Sequence, residues 1–157
     1  MAHGQWSFLH EWVIYDYLLA RVGEGTLRLR QVISFGKPLG KQKWVIVEDI
    51  NPITGTAFPD IQALLLKGFS TKRPAEVKFT TSLFSYHKES KYLKKFNQFT
   101  ADNGLILVAK HDYCPSGLSE KYKEVDVFEI DIEDFITFCR ENFSRLLNRQ
   151  IKAHTST

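Results

Sequence analysis

The chain has 157 residues, of which 43% are hydrophobic and 25% are charged, and its formal net charge is +3. This composition is typical of one soluble globular domain, and no apolar run is long enough to span a bilayer. The mild positive charge permits nucleic-acid binding without requiring it. The first residues lack the pattern of a secretory signal, and two cysteines, Cys114 and Cys139, fit a reducing compartment. We therefore expect a cytoplasmic protein that does not enter a membrane.

Apolar residues recur at helical spacing between Trp6 and Val22, which predicts a first helix. Two strands are predicted next, over Thr26 to Ser34 and Lys43 to Ile50, and the turn between them makes them a hairpin. Arg28 and Arg30 alternate with leucines in the first of these strands. They give the hairpin a basic outer face.

A second predicted hairpin carries an acidic and basic motif. Asp60 opens its first strand, Gly68 lies in its turn, and Glu76 and Lys78 lie two residues apart on one face of its return strand. If the hairpin is centred at Gly68, Asp60 lies opposite Glu76, with Cα atoms about 4.5–5.5 Å apart. Two carboxylates that close repel each other unless a cation lies between them, and Mg²⁺ (or Mn²⁺) suits such hard oxygen ligands. Lys78 would then stand beside the metal.

A lysine-rich helix is predicted after this hairpin, from Ser85 to Thr100, with the densest basic patch of the chain on its surface. These lysines could each neutralise a phosphate, although a solvated basic face is the plain alternative. They are Lys88, Lys91, Lys94 and Lys95. A buried strand over Leu105 to Ala109 follows, and a helix that joins two strands in this way predicts a parallel pairing.

The last third of the sequence predicts a strand and a helix. Val125 to Ile130 alternates with acidic residues, which indicates an edge strand, and Asp131 is placed to cap a final amphipathic helix. Residues 152–157 are expected to be a disordered tail. The helix residues expected to face inward are Ile132, Phe135, Ile136, Cys139, Phe143, Leu146 and Leu147.

The pair Pro59-Asp60, the triplet Glu76-Val77-Lys78 and the order of the surrounding elements resemble the PD-(D/E)xK nuclease superfamily. The resemblance implies one domain over residues 1–151 with a restriction-endonuclease-like fold. That fold is an α+β or α/β architecture with a central mixed β-sheet flanked by helices. Its core would cover about residues 6–109, with a peripheral strand and helix in residues 110–151.

The same resemblance implies an Mg²⁺-dependent DNA endonuclease. Asp60 and Glu76 would bind the metal, joined by the main-chain carbonyl of Val77 and by Glu11 on the first helix, while Lys78 positions the attacking water. The basic residues expected to follow the DNA backbone are Arg28, Arg30, Lys88, Lys91, Lys94 and Lys95.

Several alternatives stay open. Cleavage of both DNA strands would favour a homodimer, because one active site cuts one strand. Restriction, junction resolution, nicking and repair are all compatible with a nuclease of this size. A non-catalytic module on the same fold could instead bind nucleic acid or protein, and an unrelated α+β binding protein could carry Glu76 and Lys78 as a surface pair.

Overall fold

The computed structural model of the chain describes residues 3–53, 59–80, 90–110 and 124–148. Residues 143–148 form a short helical segment after the last of the longer elements. In chain order the described elements are α1 (His3–Glu24), β1 (Arg28–Ser34), β2 (Lys37–Pro38), β3 (Trp44–Ile53), β4 (Ile61–Leu66), β5 (Arg73–Thr80), α2 (Ser90–Ala101), β6 (Leu105–Lys110), β7 (Asp126–Ile130) and α3 (Ile132–Glu141).

The described strands form one sheet that closes on itself. Its strand order is β2-β1-β3-β4-β5-β6-β7, and an additional antiparallel pairing joins β1 to β7, with Leu29 opposite Ile130. Six strands therefore make a barrel, while the two-residue β2 attaches to the end of β1. The barrel is mixed, because β5 and β6 run parallel, as do β6 and β7. Closure gives every barrel strand two neighbours and removes the exposed edges of an open sheet.

This closed barrel shows that the predicted fold is wrong. The expectation was an open central sheet flanked by helices, as in restriction endonucleases, with β7 at its edge. Instead β7 lies between β6 and β1. Its acidic residues Asp126 and Glu129 are buried and pair with Arg73 and Arg30. The alternation of acidic with apolar residues in β7 predicted a solvated edge strand. In the structure these acids instead form buried ion pairs.

The local elements around the motif agree with the sequence. The first helix is present, β1 and β3 are antiparallel, and β4 and β5 form the second hairpin. Gly68 lies in the turn of that hairpin with φ +90, a conformation that suits glycine. The parallel pairing of β5 with β6 across α2 is also confirmed. The predicted start of α2 at Ser85 lies outside the described residues.

The barrel wall separates two apolar clusters. The larger one packs residues of α1 and α3 against inward residues of the strands, among them Val77, Leu107 and Phe128. The smaller one packs Phe96 and Phe99 of α2 against β6, β7 and β1. Side chains alternate along a strand, so Glu76 and Lys78, the neighbours of Val77, face the side on which α2 packs.

The final helix lies where the sequence predicts it, but a different set of its residues faces the core. The Asp131 carboxylate accepts a hydrogen bond from the Asp134 N–H at 3.2 Å, which confirms the cap. Phe135 and Leu146 are buried as predicted, and so is Phe138, which was missed. The expectation that three further residues face inward was wrong, because they are exposed: Ile136, Phe143 and Leu147. No helix in the described ranges is both long and apolar enough to cross a bilayer.

Candidate functional site

The β4–β5 hairpin brings Asp60 and Glu76 together. Ile61 lies opposite Ala75, which is the register expected for a hairpin centred at Gly68. The Asp60 N–H donates to Glu76 Oε1 at 3.1 Å, and the Val77 N–H donates to Asp60 Oδ2 at 2.9 Å. Both acidic residues are buried, with Asp60 7% and Glu76 8% exposed. The two carboxylates are therefore held in place by the backbone of each other's strands.

This environment strongly raises the pKa of Glu76. Burial is the largest cause, followed by the hydrogen bond with the Asp60 side chain and the negative charge of Asp60, and together they raise the pKa of Glu76 to about 9. The positive charge of Lys78 acts in the opposite direction. At neutral pH the pair therefore keeps a proton, which relieves the repulsion between two buried carboxylates.

The chemistry of this pair fits a hard divalent cation. A cation bound between the two carboxylates would replace the proton on Glu76 and remove their repulsion. Asp60 and Glu76 supply two protein oxygens, and Mg²⁺ commonly takes its remaining ligands from water and substrate phosphate. Across the described ranges no group of three or more acidic, histidine or cysteine side chains is gathered around one point.

A groove of about 580 Å³ is lined by residues that neighbour the pair in sequence. Pro59, immediately before Asp60, and Pro74, two residues before Glu76, form part of its wall, and the C-terminal half of α2 forms another part. Lys72 and Lys95 line the groove together with the acid Asp102, and Lys72 also lies 3.8 Å from an Asp49 oxygen. A polyanion lying in this groove would therefore pass next to Asp60 while meeting two ammonium groups.

The predicted DNA-contacting arginines form ion pairs on the outer face of the barrel. Arg28 Nη2 lies 2.7 Å from Asp131 Oδ2, and Arg30 Nε donates to Glu129 Oε1 at 3.0 Å. Both guanidinium groups also lie over the Trp44 ring, at 4.4 and 5.0 Å from its centre. These contacts give the two arginines a structural role in joining β1 to β3 and β7, and their DNA contacts stay a prediction.

The lysines of α2 are described only in part. Lys94 and Lys95 are exposed, and Lys95 lines the groove. The side chains of Lys88, Lys91 and Glu11 lie outside the described residues. The part of the predicted basic face that the structure describes is thus on the same side of the barrel wall as Glu76.

A second polar cluster was missed by the sequence analysis. Arg73 Nη2 donates to Asp126 Oδ2 at 2.9 Å, and Arg73 Nε donates to the Asn103 carbonyl oxygen at 2.6 Å. Arg73 and Asp126 lie 53 positions apart in sequence, so no local pattern could pair them. Only the parallel order of β5, β6 and β7 brings them to the same end of the barrel.

The sequence matches no known protein-family profile, no curated protein and no solved structure with significant similarity. Membership of the PD-(D/E)xK superfamily therefore stays a prediction that rests on the motif residues and not on the architecture of the sheet.

Proposed function

We propose that the chain is a metal-dependent deoxyribonuclease whose active site is formed by Asp60, Glu76 and Lys78. The observation that carries the proposal is the buried carboxylate pair, in which the pKa of Glu76 is raised to about 9. Such a pair destabilises the fold when both groups are ionised, and perturbed acids of this kind are typical of functional sites. Lys78, on the same face of β5 as Glu76, and the two lysines of the groove support a phosphate substrate.

Each residue has a distinct role in this proposal. Bound Mg²⁺ or Mn²⁺ would polarise the scissile phosphate and make an attacking hydroxide available near neutral pH. Asp60 and Glu76 would hold the cation, and the hydrogen bond from the Val77 N–H keeps the Asp60 carboxylate oriented. The Lys78 ammonium group positions the attacking water or neutralises the charge that develops on the phosphate oxygens.

The groove gives the DNA backbone a path to these residues. Lys95 and Lys72 lie along it and would each contact a phosphate, with Lys94 adding charge on the exposed side of α2. A phosphate placed beside Pro59 would lie next to Asp60. We place the enzyme in the cytoplasm, and a homodimer would provide two active sites for cleavage of both strands.

The test is a cleavage assay on supercoiled plasmid with Mg²⁺, Mn²⁺ or EDTA. Glu76→Gln and Lys78→Ala should lower the rate by at least about 100-fold, because each removes a group that acts at the reacting phosphate. Glu48→Gln is the matched control, since Glu48 is an exposed acid on the neighbouring strand β3. Thermal unfolding of every variant checks that the loss of activity is not a loss of fold.

The outcomes distinguish a nuclease from a non-catalytic binding module. Metal-dependent products that are lost in Glu76→Gln and retained in Glu48→Gln support the proposal. Equal cleavage by wild type and Glu76→Gln would overturn the assignment of the site. If plasmid, branched and single-stranded DNA are all left intact, the protein is better described as a non-catalytic binding module.

A further inference from the structure

A second cavity, of about 440 Å³, occupies the end of the barrel at which β4 ends and β5 and β7 begin. Its walls include Val45, Leu66 and Phe128, which belong to the inward-facing core or pack against it. The cavity is therefore the open mouth of the barrel. Its volume lies within the range of small-ligand sites.

The polar part of this mouth is a buried ion pair. The side chains of Arg73 and Asp126 are 12% and 9% exposed, and their contact is 2.9 Å long. Asn103, at φ +59, holds the same arginine through its carbonyl oxygen and its side-chain oxygen. Asp126 Oδ1, by contrast, is buried and has no hydrogen-bond partner among the described residues. Buried carboxylate oxygens are rarely left in this state, and this one has less than 1 Å² of accessible surface.

The rim of the mouth is aromatic and basic. Phe35 and Phe69 line the cavity, yet they are 54% and 62% exposed. Phe35 also has φ +46, a left-handed conformation that is strained for a bulky residue. Exposed aromatic rings are the usual stacking surface for bases, and Lys41 and Lys43 lie beside them.

We propose that this mouth binds an unpaired nucleotide. The aromatic rim would stack the base, and Lys41 and Lys43 would contact the phosphate. A purely apolar ligand would leave the lysines without a role. The proposal goes beyond the proposed cleavage and does not depend on it, because no residue of the Asp60–Glu76 pair lines the mouth.

The mouth and the groove beside Asp60 adjoin. Arg73 and Asn103 line the mouth, while Pro74 and Asn103 line the groove. A single strand that follows the groove could thus place one of its nucleotides in the mouth. The ligand can be a free nucleotide or a nucleotide within a DNA strand, and the two sources are distinguishable by titration.

The experiment is a calorimetric titration in EDTA, which excludes cleavage. The probes are the four deoxynucleoside monophosphates, the matching nucleosides, a ten-nucleotide single strand and the duplex of the same sequence. We expect saturable binding that weakens about 10-fold in Phe69→Ala and in Phe35→Ala, because each removes a stacking surface. Phe143→Ala is the matched control, since Phe143 is 64% exposed and lies away from the mouth. The double variant Lys41→Ala/Lys43→Ala should weaken nucleotides but not nucleosides.

Binding of monophosphates identifies a free nucleotide as sufficient, and binding of the single strand alone identifies a strand as the ligand; both support the mouth as the site. Glu76→Gln should retain this binding whether or not it has lost cleavage, so the two proposals fail independently. The inference is overturned if no probe binds the wild type. It is equally overturned if Phe69→Ala and Phe143→Ala have the same effect, or if Phe69→Ala weakens binding of the duplex as much as binding of the single strand.

Discussion

Glu76 is a buried acid whose proton links the site to the stability of the fold. Its side chain accepts a hydrogen bond from the Asp60 N–H. Its charged neighbours are Lys78, of opposite charge, and Asp60, of like charge. Burial and the Asp60 contact raise its pKa from 4.5 to about 9. The native protein therefore binds this proton more tightly than the unfolded chain does, and the charged form of Glu76 disfavours folding.

This linkage predicts how stability changes with pH in metal-free protein. Between pH 4.5 and about 9 the unfolded chain has lost the Glu76 proton while the native state keeps it. The free energy of unfolding should therefore fall as pH rises through this window, by up to about 1.4 kcal/mol per pH unit from this group. Glu76→Gln has no proton to lose, so the variant should gain stability relative to wild type as pH rises and match it near pH 4.5.

Urea unfolding at a series of pH values in EDTA measures this difference. Glu48→Gln serves as the control, because Glu48 is exposed and its substitution should leave the pH profile unchanged. Parallel profiles for wild type and Glu76→Gln between pH 5 and 9 would show that the pair does not share a proton. The site would then lack the property on which the proposed metal exchange rests.

At the scale of elements, the β1–β7 pairing closes the barrel and carries a buried ion pair. The Glu129 side chain is 4% exposed, whereas Arg30 is 34% exposed and donates to it. Arg30→Ala leaves a buried carboxylate without its cation, so we expect a loss of about 2–4 kcal/mol in the free energy of unfolding. Arg140→Ala, which removes an exposed arginine of α3, should have little effect on chemical denaturation.

The junction between α2 and β6 gives a second prediction at this scale. A Cβ atom at Gly104 would lie 2.5 Å from the Phe99 ring, which is packed in the smaller core. Gly104→Ala should therefore destabilise the protein by about 1–3 kcal/mol through overpacking. Gly23→Ala is the matched control, because Gly23 lies in α1 with no atom within 4 Å of the added group. We expect that variant to gain about 0.5–1 kcal/mol, and comparable thermal shifts for both would contradict this packing.

At the scale of the whole molecule, the sequence was informative wherever interactions are local. The register at the Asp60 end of the hairpin follows from a turn centred at Gly68, so the meeting of Asp60 and Glu76 could be predicted, although the register shifts between Ile61 and Leu64. Barrel closure could not be predicted in this way. It depends on the pairing of β1 with β7, whose Arg30 and Glu129 are 99 positions apart, and on acids that are buried rather than solvated. The contact between Arg73 and Asp126 in the mouth could not be predicted either, because these residues also lie far apart in the sequence.

The charge of the whole molecule leads to a final prediction. A net charge of +3 is too small to attract DNA over the entire surface, so affinity must come from local lysines. If α2 lies along the DNA backbone, Lys94→Ala/Lys95→Ala removes two phosphate contacts. Fluorescence anisotropy with a labelled duplex in EDTA, repeated over a range of salt concentrations, should then give a plot of log affinity against log salt whose slope is smaller by about 1.8.

Arg30→Ala separates binding from folding in the same assay. Its ion pair with Glu129 gives Arg30 a structural role, so the variant should lower stability, and it should lower the salt slope of the folded protein only if the predicted DNA contact of Arg30 is made. Arg140→Ala should change neither quantity. A slope that falls in Arg30→Ala but not in Lys94→Ala/Lys95→Ala would move the DNA-binding surface from α2 to β1, and the groove beside Asp60 would no longer be the path of the strand.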